Sequence, residues 1–321
     1  MNDTPRFTRP QDLDQEWRAT PGAKFGWAAE AFAWDWIYWN PMKALPLVTA
    51  SNTVSGILRK LGPLSAQHRT VVRNLRLAFP TWSEKQIKEV ADGAWDNLGR
   101  IAGELPHLPR MRPYVENSRI EVVGGERLDA LRESKTAAVL IGGHLANWEV
   151  MSSAICNRPF DVQMTYRAAN NPYIDRRIAD ARHDFGINVL TPKGTGTREL
   201  MRALGRGQSV ALMNDQKFNQ GIPVPLFGHD AMTAPGPTRL AKKFKIPLLP
   251  IACRRIGPVR YRVTVYEPFM PETGPDEDAA IAATVLKINQ WVEARVLEAP
   301  EQWFWMHNRW PKEAWVKAGV M

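Results

Sequence analysis

The chain has 321 residues, of which 42 are Lys or Arg and 33 are Asp or Glu, so its formal net charge is +9. A hydrophobic fraction of 44% is enough for a packed core and excludes a disordered chain. The two cysteines, Cys156 and Cys253, form no CxxC pair, which excludes a zinc ribbon, an iron–sulfur site and a disulfide framework and favours a reducing compartment.

The N-terminal segment is polar at first and then rich in aromatic residues. Residues 1–24 lack the apolar run of a signal peptide and are predicted to be a flexible leader. Residues 25–39, FGWAAEAFAWDWIYW, predict a helix that is too short and too charged to span a bilayer. Such a helix suits either the membrane interface, with its rings at headgroup depth, or packing on the main domain.

Helices are predicted through residues 51–105, and strands only after them. Pro80 ends one helix, and the capping box of Ser83 and Gln86 begins the next. From about residue 120, short β-rich runs alternate with helical ones. Strands are predicted at 136–143, 161–167, 187–190, 209–215, 246–254 and 259–269, and helices at 145–156, 172–186, 197–207, 237–245 and 275–299.

This alternation predicts an α/β fold with a central mixed sheet, flanking helices and crossover connections. It divides the chain into the leader at 1–24, an N-terminal helical, membrane-associating region at 25–115, and an α/β domain at 116–321. No stretch of 18 or more apolar residues occurs in the sequence, so no transmembrane helix is predicted.

The sequence IGGHLANWEVMS at 141–152 contains the main site candidate. A predicted strand ends at Gly142 and Gly143, which is where reacting groups collect in open α/β sheets. His144 and Glu149 would face apart within one helix, so they meet only if His144 lies in a loop that the two glycines allow to bend. A carboxylate on one imidazole nitrogen would leave the other free to take a proton from a hydroxyl. The alternative is a structural histidine that caps a backbone group.

Six segments, in order, resemble a known family. They are His144-x4-Glu149 after Gly-Gly, RNLRLAFPTWSE (73–84), YRAANNPYID (166–175), MNDQ (213–216) with the VPLFG and MTAPGPTRLAKK that follow it, IPLLPIACRR (246–255), and APEQWFWMHNRW (299–310). Together, over residues 55–311, they resemble the lysophospholipid acyltransferase superfamily, in particular the lipid A late acyltransferases that add lauroyl or myristoyl chains.

The resemblance implies a glycerol-3-phosphate acyltransferase-like fold and an O-acyltransferase that needs neither metal nor cofactor. His144 would act as the general base, oriented by Glu149. A hydroxyl of a lipid A precursor, which is an anionic glycolipid, would attack a fatty acyl thioester of acyl carrier protein. The substrate-binding residues that it implies are Arg167, Asn171, Asp215 and Gln216. Arg167 would hold a phosphate or the oxyanion, and Asp215 would hold Arg167 or contact the sugar.

Basic residues are concentrated after this site. Eight lie between Ala231 and Tyr266 without a single acid. This window attracts an acidic carrier or a phosphate, unless it is simply a solvated face. The docking candidates in it are Arg239, Lys242, Lys243, Arg254 and Arg255.

The resemblance places the protein on the cytoplasmic face of the bacterial inner membrane, peripheral or shallowly anchored by the aromatic segment. No nucleic-acid-binding motif is found, so no nucleic-acid partner is predicted. Two alternatives stay open at this point. One is transfer to another lipid, such as a phospholipid, an amino-acid lipid or a glycolipid, with coenzyme A as donor. The other is a lipid-binding homologue without catalytic activity.

Overall fold

The computed structural model describes residues 20–187, 190–192 and 196–321. Most of the predicted leader, and residues 188–189 of the strand predicted at 187–190, lie outside the described residues. Helices precede the first strand, as the sequence predicts. They are α1 (Pro21–Trp34), which continues as a π-helical turn (Asp35–Trp39), α2 (Asn40–Ala44), α3 (Leu47–Leu61), α4 (Ala66–Ala78) and α5 (Glu84–Glu104).

Local sequence explains where α5 begins and how closely it packs. Ser83 and Gln86 form the predicted capping box at its N-terminus. Gly99 and Gly103 let it approach α3, because a Cβ at Gly103 would lie 2.4 Å from the carbonyl oxygen of Ala50. Among the helices of the described residues, none combines the length and the hydrophobicity that a membrane crossing requires.

A seven-stranded mixed sheet forms the centre of the rest of the chain. Its strands are β1 (Ile120–Val123), β2 (Val139–Gly142), β3 (Val162–Tyr166), β4 (Leu190–Pro192), β5 (Ser209–Met213), β8 (Leu248–Gly257) and β9 (Arg260–Val265). The order across the sheet is β1-β9-β8-β2-β5-β3-β4, and only the β8–β9 pairing is antiparallel. The predicted α/β fold with a mixed sheet is confirmed. Between β5 and β8, the strands β6 (Ile222–Leu226) and β7 (His229–Thr233) form a separate hairpin that the sequence reasoning missed.

Helices cover both faces of the sheet and bury it. They are α6 (Glu126–Glu133), α7 (Trp148–Cys156), α8 (Pro172–Asp184), α9 (Gly196–Gly205), α10 (Gly236–Phe244) and α11 (Glu277–Glu298), while the last helix, α12 (Lys312–Lys317), packs on α4. One core cluster joins α7 to the sheet, and another packs α9 and α10 on it. A third joins α4 and α5 to the C-terminal tryptophans Trp303, Trp305 and Trp310. The carboxyl ends of β2, β5 and β3 therefore lie side by side at one edge, supported from both faces.

Candidate active site

The loop after β2 carries His144 at this carboxyl edge. Both glycines before it serve close packing: a Cβ at Gly143 would lie 3.2 Å from the Asp215 carboxylate, and one at Gly142 2.9 Å from Met151 Cε. Neither has a positive φ. The left-handed residue of the loop is Ala146, with φ of 48°. The bend that lifts His144 out of the helix thus comes after the histidine, and not from the glycines as expected.

Asp215, which follows β5, is the partner of His144. One carboxylate oxygen, Oδ1, lies 2.7 Å from His144 Nδ1, and the other, Oδ2, accepts the backbone N–H of His144 at 2.7 Å. The Trp303 indole N–H also donates to Oδ2, at 2.8 Å. Burial raises the pKa of this carboxyl, but the His144 ring and these hydrogen bonds outweigh burial and lower the pKa to about 2.

The ionised Asp215 settles which ring nitrogen of His144 carries the proton. A carboxylate can only accept hydrogen bonds, so Nδ1 donates to it and Nε2 keeps a free lone pair. The side chain of His144 is 19% exposed. Gln216 Nε2 lies 3.5 Å from His144 Nε2, and the rings of Trp148 and Phe304 flank the imidazole at 5.2 and 6.2 Å between centroids. The partly exposed imidazole therefore lies between two aromatic rings, with an amide donor beside Nε2.

The C-terminal segment fixes the other side of the loop. Phe304 donates its backbone N–H to the carbonyl of His144, and Ala146 donates to the carbonyl of Gln302 at 2.8 Å. Leu145 and Trp303 form an isolated antiparallel bridge. The sequence reasoning matched this tail to the family but gave Trp303 no role. Its signal was the dense aromatic run WFW at 303–305.

Glu149 does not orient His144, which corrects the expectation from the sequence. Asn147 caps α7 by accepting the backbone N–H of Glu149, and this places the carboxylate in the first turn of the helix. There it accepts two hydrogen bonds from Arg182 of α8, at 2.6 and 2.9 Å. Burial lowers the pKa of the Arg182 guanidinium, but the Glu149 carboxylate, together with Asp175 and Tyr166, raises it above its usual value. The pair links α7 to α8, as a buried bidentate bridge.

Two other predicted substrate ligands have different surroundings from those expected. Asn171 is buried and caps α8 through the backbone N–H groups of Tyr173 and Ile174. Its amide donates to Glu30 and to the Trp27 carbonyl of α1, so both ends of the side chain are in use. Arg167 is exposed at the end of β3 and donates to Asn170 Oδ1 at 3.4 Å. The expected Arg167–Asp215 pair is not formed, because Asp215 is bonded to His144.

A buried carboxylate that the sequence reasoning missed supports the loop from behind. Glu104, at the end of α5, is fully buried and accepts hydrogen bonds from side chains of four different segments. The donors are Ser51 Oγ at 2.8 Å, Asn147 Nδ2 at 2.9 Å, Arg255 Nη1 at 2.7 Å and the Tyr261 hydroxyl. Asn147 thereby connects the N-terminal helices to the His144 loop. Arg255 cannot serve in docking as predicted, since its side chain is only 9% exposed and paired with Glu104.

The remaining basic candidates do not form one surface. α10 ends at Phe244, just before β8 starts beside Val139, the first residue of β2. Lys242 and Lys243 therefore lie near the amino edge of the sheet, opposite His144, and Arg239 lies one helical turn earlier. Arg254 is exposed on β8 beyond the end of β2, at the carboxyl edge. The acid-free window in the sequence is thus divided between two edges.

The described residues contain no group of three or more His, Cys, Asp or Glu side chains that could hold a metal ion. What the carboxyl edge offers is a proton acceptor, His144 Nε2, held by an ionised carboxylate. Such a pair can take a proton from a hydroxyl and return it to a leaving group.

Comparison with known proteins agrees with the resemblance seen in the sequence. The family model described as bacterial lipid A biosynthesis acyltransferase matches residues 27–312. A lipid A biosynthesis lauroyltransferase of Escherichia coli is 28% identical over 252 residues, which cover 75% of this chain and 78% of the relative. A lipid A biosynthesis acyltransferase of Haemophilus influenzae is 24% identical over 255 residues, 77% and 76% of the two chains. A palmitoleoyltransferase of lipid A biosynthesis from E. coli is 22% identical over 292 residues, 88% and 90%.

Proposed function

This chain belongs to the bacterial lipid A biosynthesis acyltransferase family and is an acyltransferase, and from that premise we propose its donor, acceptor and mechanism. The proposed reaction moves a fatty acyl chain from a thioester of acyl carrier protein to a hydroxyl of a lipid A precursor. The observation that carries the mechanism is the bond between His144 Nδ1 and the buried Asp215 carboxylate. The acceptor is proposed from the relatives, which are named as enzymes of lipid A biosynthesis.

In this mechanism His144 acts as general base and then as general acid. Nε2 takes the proton of the acceptor hydroxyl while the oxygen attacks the thioester carbonyl carbon. The tetrahedral intermediate collapses, the carbon–sulfur bond breaks, and the thiolate takes the proton back from Nε2. Asp215 stays ionised and stabilises the transient imidazolium. Gln216 is proposed to contact the acceptor beside Nε2, and Arg167 to hold negative charge of the substrate at the same edge.

We propose that the enzyme lies on the cytoplasmic face of the inner membrane through α1 and the turn that follows it. Phe25, Phe32, Trp36 and Ile37 are exposed there. The two acids of the segment are bonded to α8 and its cap, since Glu30, although exposed, accepts from Asn171, and Asp35 pairs with Arg177. A face of exposed rings whose neighbouring acids are already paired suits the headgroup region.

The test is transfer of a defined chain to a lipid A precursor, followed by mass spectrometry. Wild type with charged acyl carrier protein is expected to add the mass of one chain, and acyl coenzyme A to be a poor donor. His144→Ala and Asp215→Asn should each lower the rate by about a thousandfold or more. The control is His183→Ala, since His183 is an exposed histidine on α8. Full activity of His144→Ala would refute the mechanism, and a preference for acyl coenzyme A would refute the proposed donor.

A further inference from the structure

A cavity of about 140 Å³ lies beside the His144 loop, between the sheet and the end of α11, and the mechanism above does not use it. Leu145, the residue after His144, forms part of its wall. The polar lining comes from β8, β9, α11 and the C-terminal segment. It includes Arg254, Arg262, Arg295, Glu298 and Gln302. Three arginines therefore line one concave site beside the loop that carries the proposed base.

Two of these arginines lie directly opposite each other on neighbouring strands. Arg254 of β8 and Arg262 of β9 are direct partners in the antiparallel register. Like charges in that position destabilise a strand pair. Arg262 is paired with Glu121 at 3.0 Å. Within the described residues no ion pair is recorded for Arg254, so the repulsion between the two is only partly relieved.

The third arginine is held in place from α11. Arg295 pairs with Glu298 at 2.7 Å and lies over the Tyr266 ring, 4.8 Å from its centroid. Its buried Nε has no hydrogen-bond partner in the structure. Three guanidinium groups thus stand against two carboxylates, Glu121 and Glu298, which leaves one positive charge in excess. A bound anion would remove both the excess charge and the cross-strand repulsion.

We infer that this cavity binds a phosphate group of the acceptor lipid, an inference that rests on the proposed function. A phosphate group fits the volume, and forked guanidinium groups match its oxygens. Because Leu145 lines the cavity and His144 is its neighbour in the chain, one acceptor molecule can fill the cavity and present a hydroxyl to Nε2. The site fixes the acceptor by its charged headgroup, away from the fatty acyl donor.

The kinetic test compares Arg254→Gln with Arg260→Gln, an exposed arginine of the same hairpin that does not line the cavity. Arg254→Gln should raise KM for the phosphorylated acceptor about tenfold or more, as loss of one charge-assisted hydrogen bond predicts, with kcat within about twofold. Neither KM for the same acceptor after dephosphorylation nor KM for the donor should change. An equal effect of Arg260→Gln, or a rise in KM for the charged carrier, would overturn the inference.

A binding experiment separates this inference from the proposed function. Titration calorimetry of the full chain with glucosamine 1-phosphate should give saturable binding in wild type and Arg260→Gln, and none in Arg254→Gln. Inorganic phosphate that binds as tightly as the sugar phosphate would refute assignment to the lipid headgroup. A wild type that transfers no acyl chain yet binds the sugar phosphate through Arg254 would refute the proposed function and leave the phosphate site standing. A wild type that transfers the acyl chain normally but does not bind the sugar phosphate would refute the phosphate site and leave the proposed function standing.

Discussion

At the residue scale, the site depends on Glu104, although this side chain contacts none of the proposed reacting groups. It is fully buried, and Arg255 is the cation that pairs with it. Burial, with Glu104 beside it, raises the pKa of Tyr261 well above its usual range, so the hydroxyl remains a donor. A buried carboxylate costs several kcal/mol unless such partners surround it. The arrangement is therefore favourable only while every partner is present.

Removing the charge of Glu104 tests this dependence. Glu104→Gln should lower the free energy of unfolding by about 3–5 kcal/mol, because it leaves Arg255 buried beside a neutral amide. The matched control is Glu84→Gln, which breaks the exposed Arg76–Glu84 pair and should cost less than about 1 kcal/mol. Urea unfolding followed by tryptophan fluorescence measures both. Equal stability of the two variants would show that the Glu104 pair contributes little.

The same scale shows what sequence spacing can and cannot reveal. His144 was found because a histidine after a predicted strand end is a local pattern. Its partner was misassigned, because Asp215 comes from another strand, 71 residues along the chain, and only sheet order brings the two together. Asp215 itself was among the predicted site residues, with a different contact. Glu104 left no signal beyond the spacing of Gly99 and Gly103, which marks a close helix contact but not its buried charge.

At the element scale, the direction of α10 decides which basic residues can act at the site. The helix runs from the carboxyl edge of the sheet to the amino edge, so its C-terminal lysines point away from His144. Lys243 also lies near Met201 of α9 on that side, with 3.7 Å between Nζ and Sδ. The basic residues that are close together in the sequence therefore do not form one basic surface in the fold.

Charge reversal on α10 should therefore have little effect on donor binding. The double variant Lys242→Glu, Lys243→Glu is expected to leave KM for charged acyl carrier protein within about twofold, because screening weakens charges beyond about 8–10 Å. Steady-state kinetics at physiological ionic strength measure it, with Arg239→Glu as the comparison nearer the carboxyl edge. A several-fold rise for the double variant would place carrier docking on this helix end.

The β6–β7 hairpin escaped prediction because its sequence breaks the usual strand rules. Pro223 and Pro225 lie within β6, where proline normally argues against a strand. The hairpin tolerates them because β6 has β7 on one side only and is an edge strand. Its turn uses Phe227 and Gly228, both with positive φ, and a bulky Phe in that conformation is rare. The strands of the main sheet other than β1 were predicted, from continuous buried runs as in β2 or from alternation as in β9. The edge strand β1 was missed, because it has only four residues and one of them is buried.

At the scale of the whole molecule, the tryptophans serve two separate purposes. Of the twelve that lie in the described residues, six are buried, and Trp303, Trp305 and Trp310 among them pack the C-terminal segment onto the N-terminal helices. Exposed rings occur instead on α1 and its following turn. Half of the described tryptophans therefore belong to the core, and only a few aromatic rings are available to a membrane.

Those few rings should determine membrane attachment. The double variant Phe32→Ser, Trp36→Ser is expected to bind vesicles containing anionic phospholipid at least about tenfold more weakly, because two large apolar side chains no longer leave water. Val316→Ser on α12 removes an equally exposed apolar side chain elsewhere and should leave binding unchanged. Co-sedimentation with vesicles measures both variants. Unchanged binding of the double variant would place the membrane contact on another surface.

Asp215 holds His144 at two points, the ring and the main chain, and this closes a small cycle of atoms through one carboxylate. The imidazole consequently has no freedom to rotate about its side-chain bonds without breaking a hydrogen bond. The conformational entropy of the base is thus lost when the chain folds and not again at each turnover. A hydroxyl that reaches the imidazole finds Nε2 already aimed. The rotation of the acceptor hydroxyl is then the main motion that the enzyme still has to restrict.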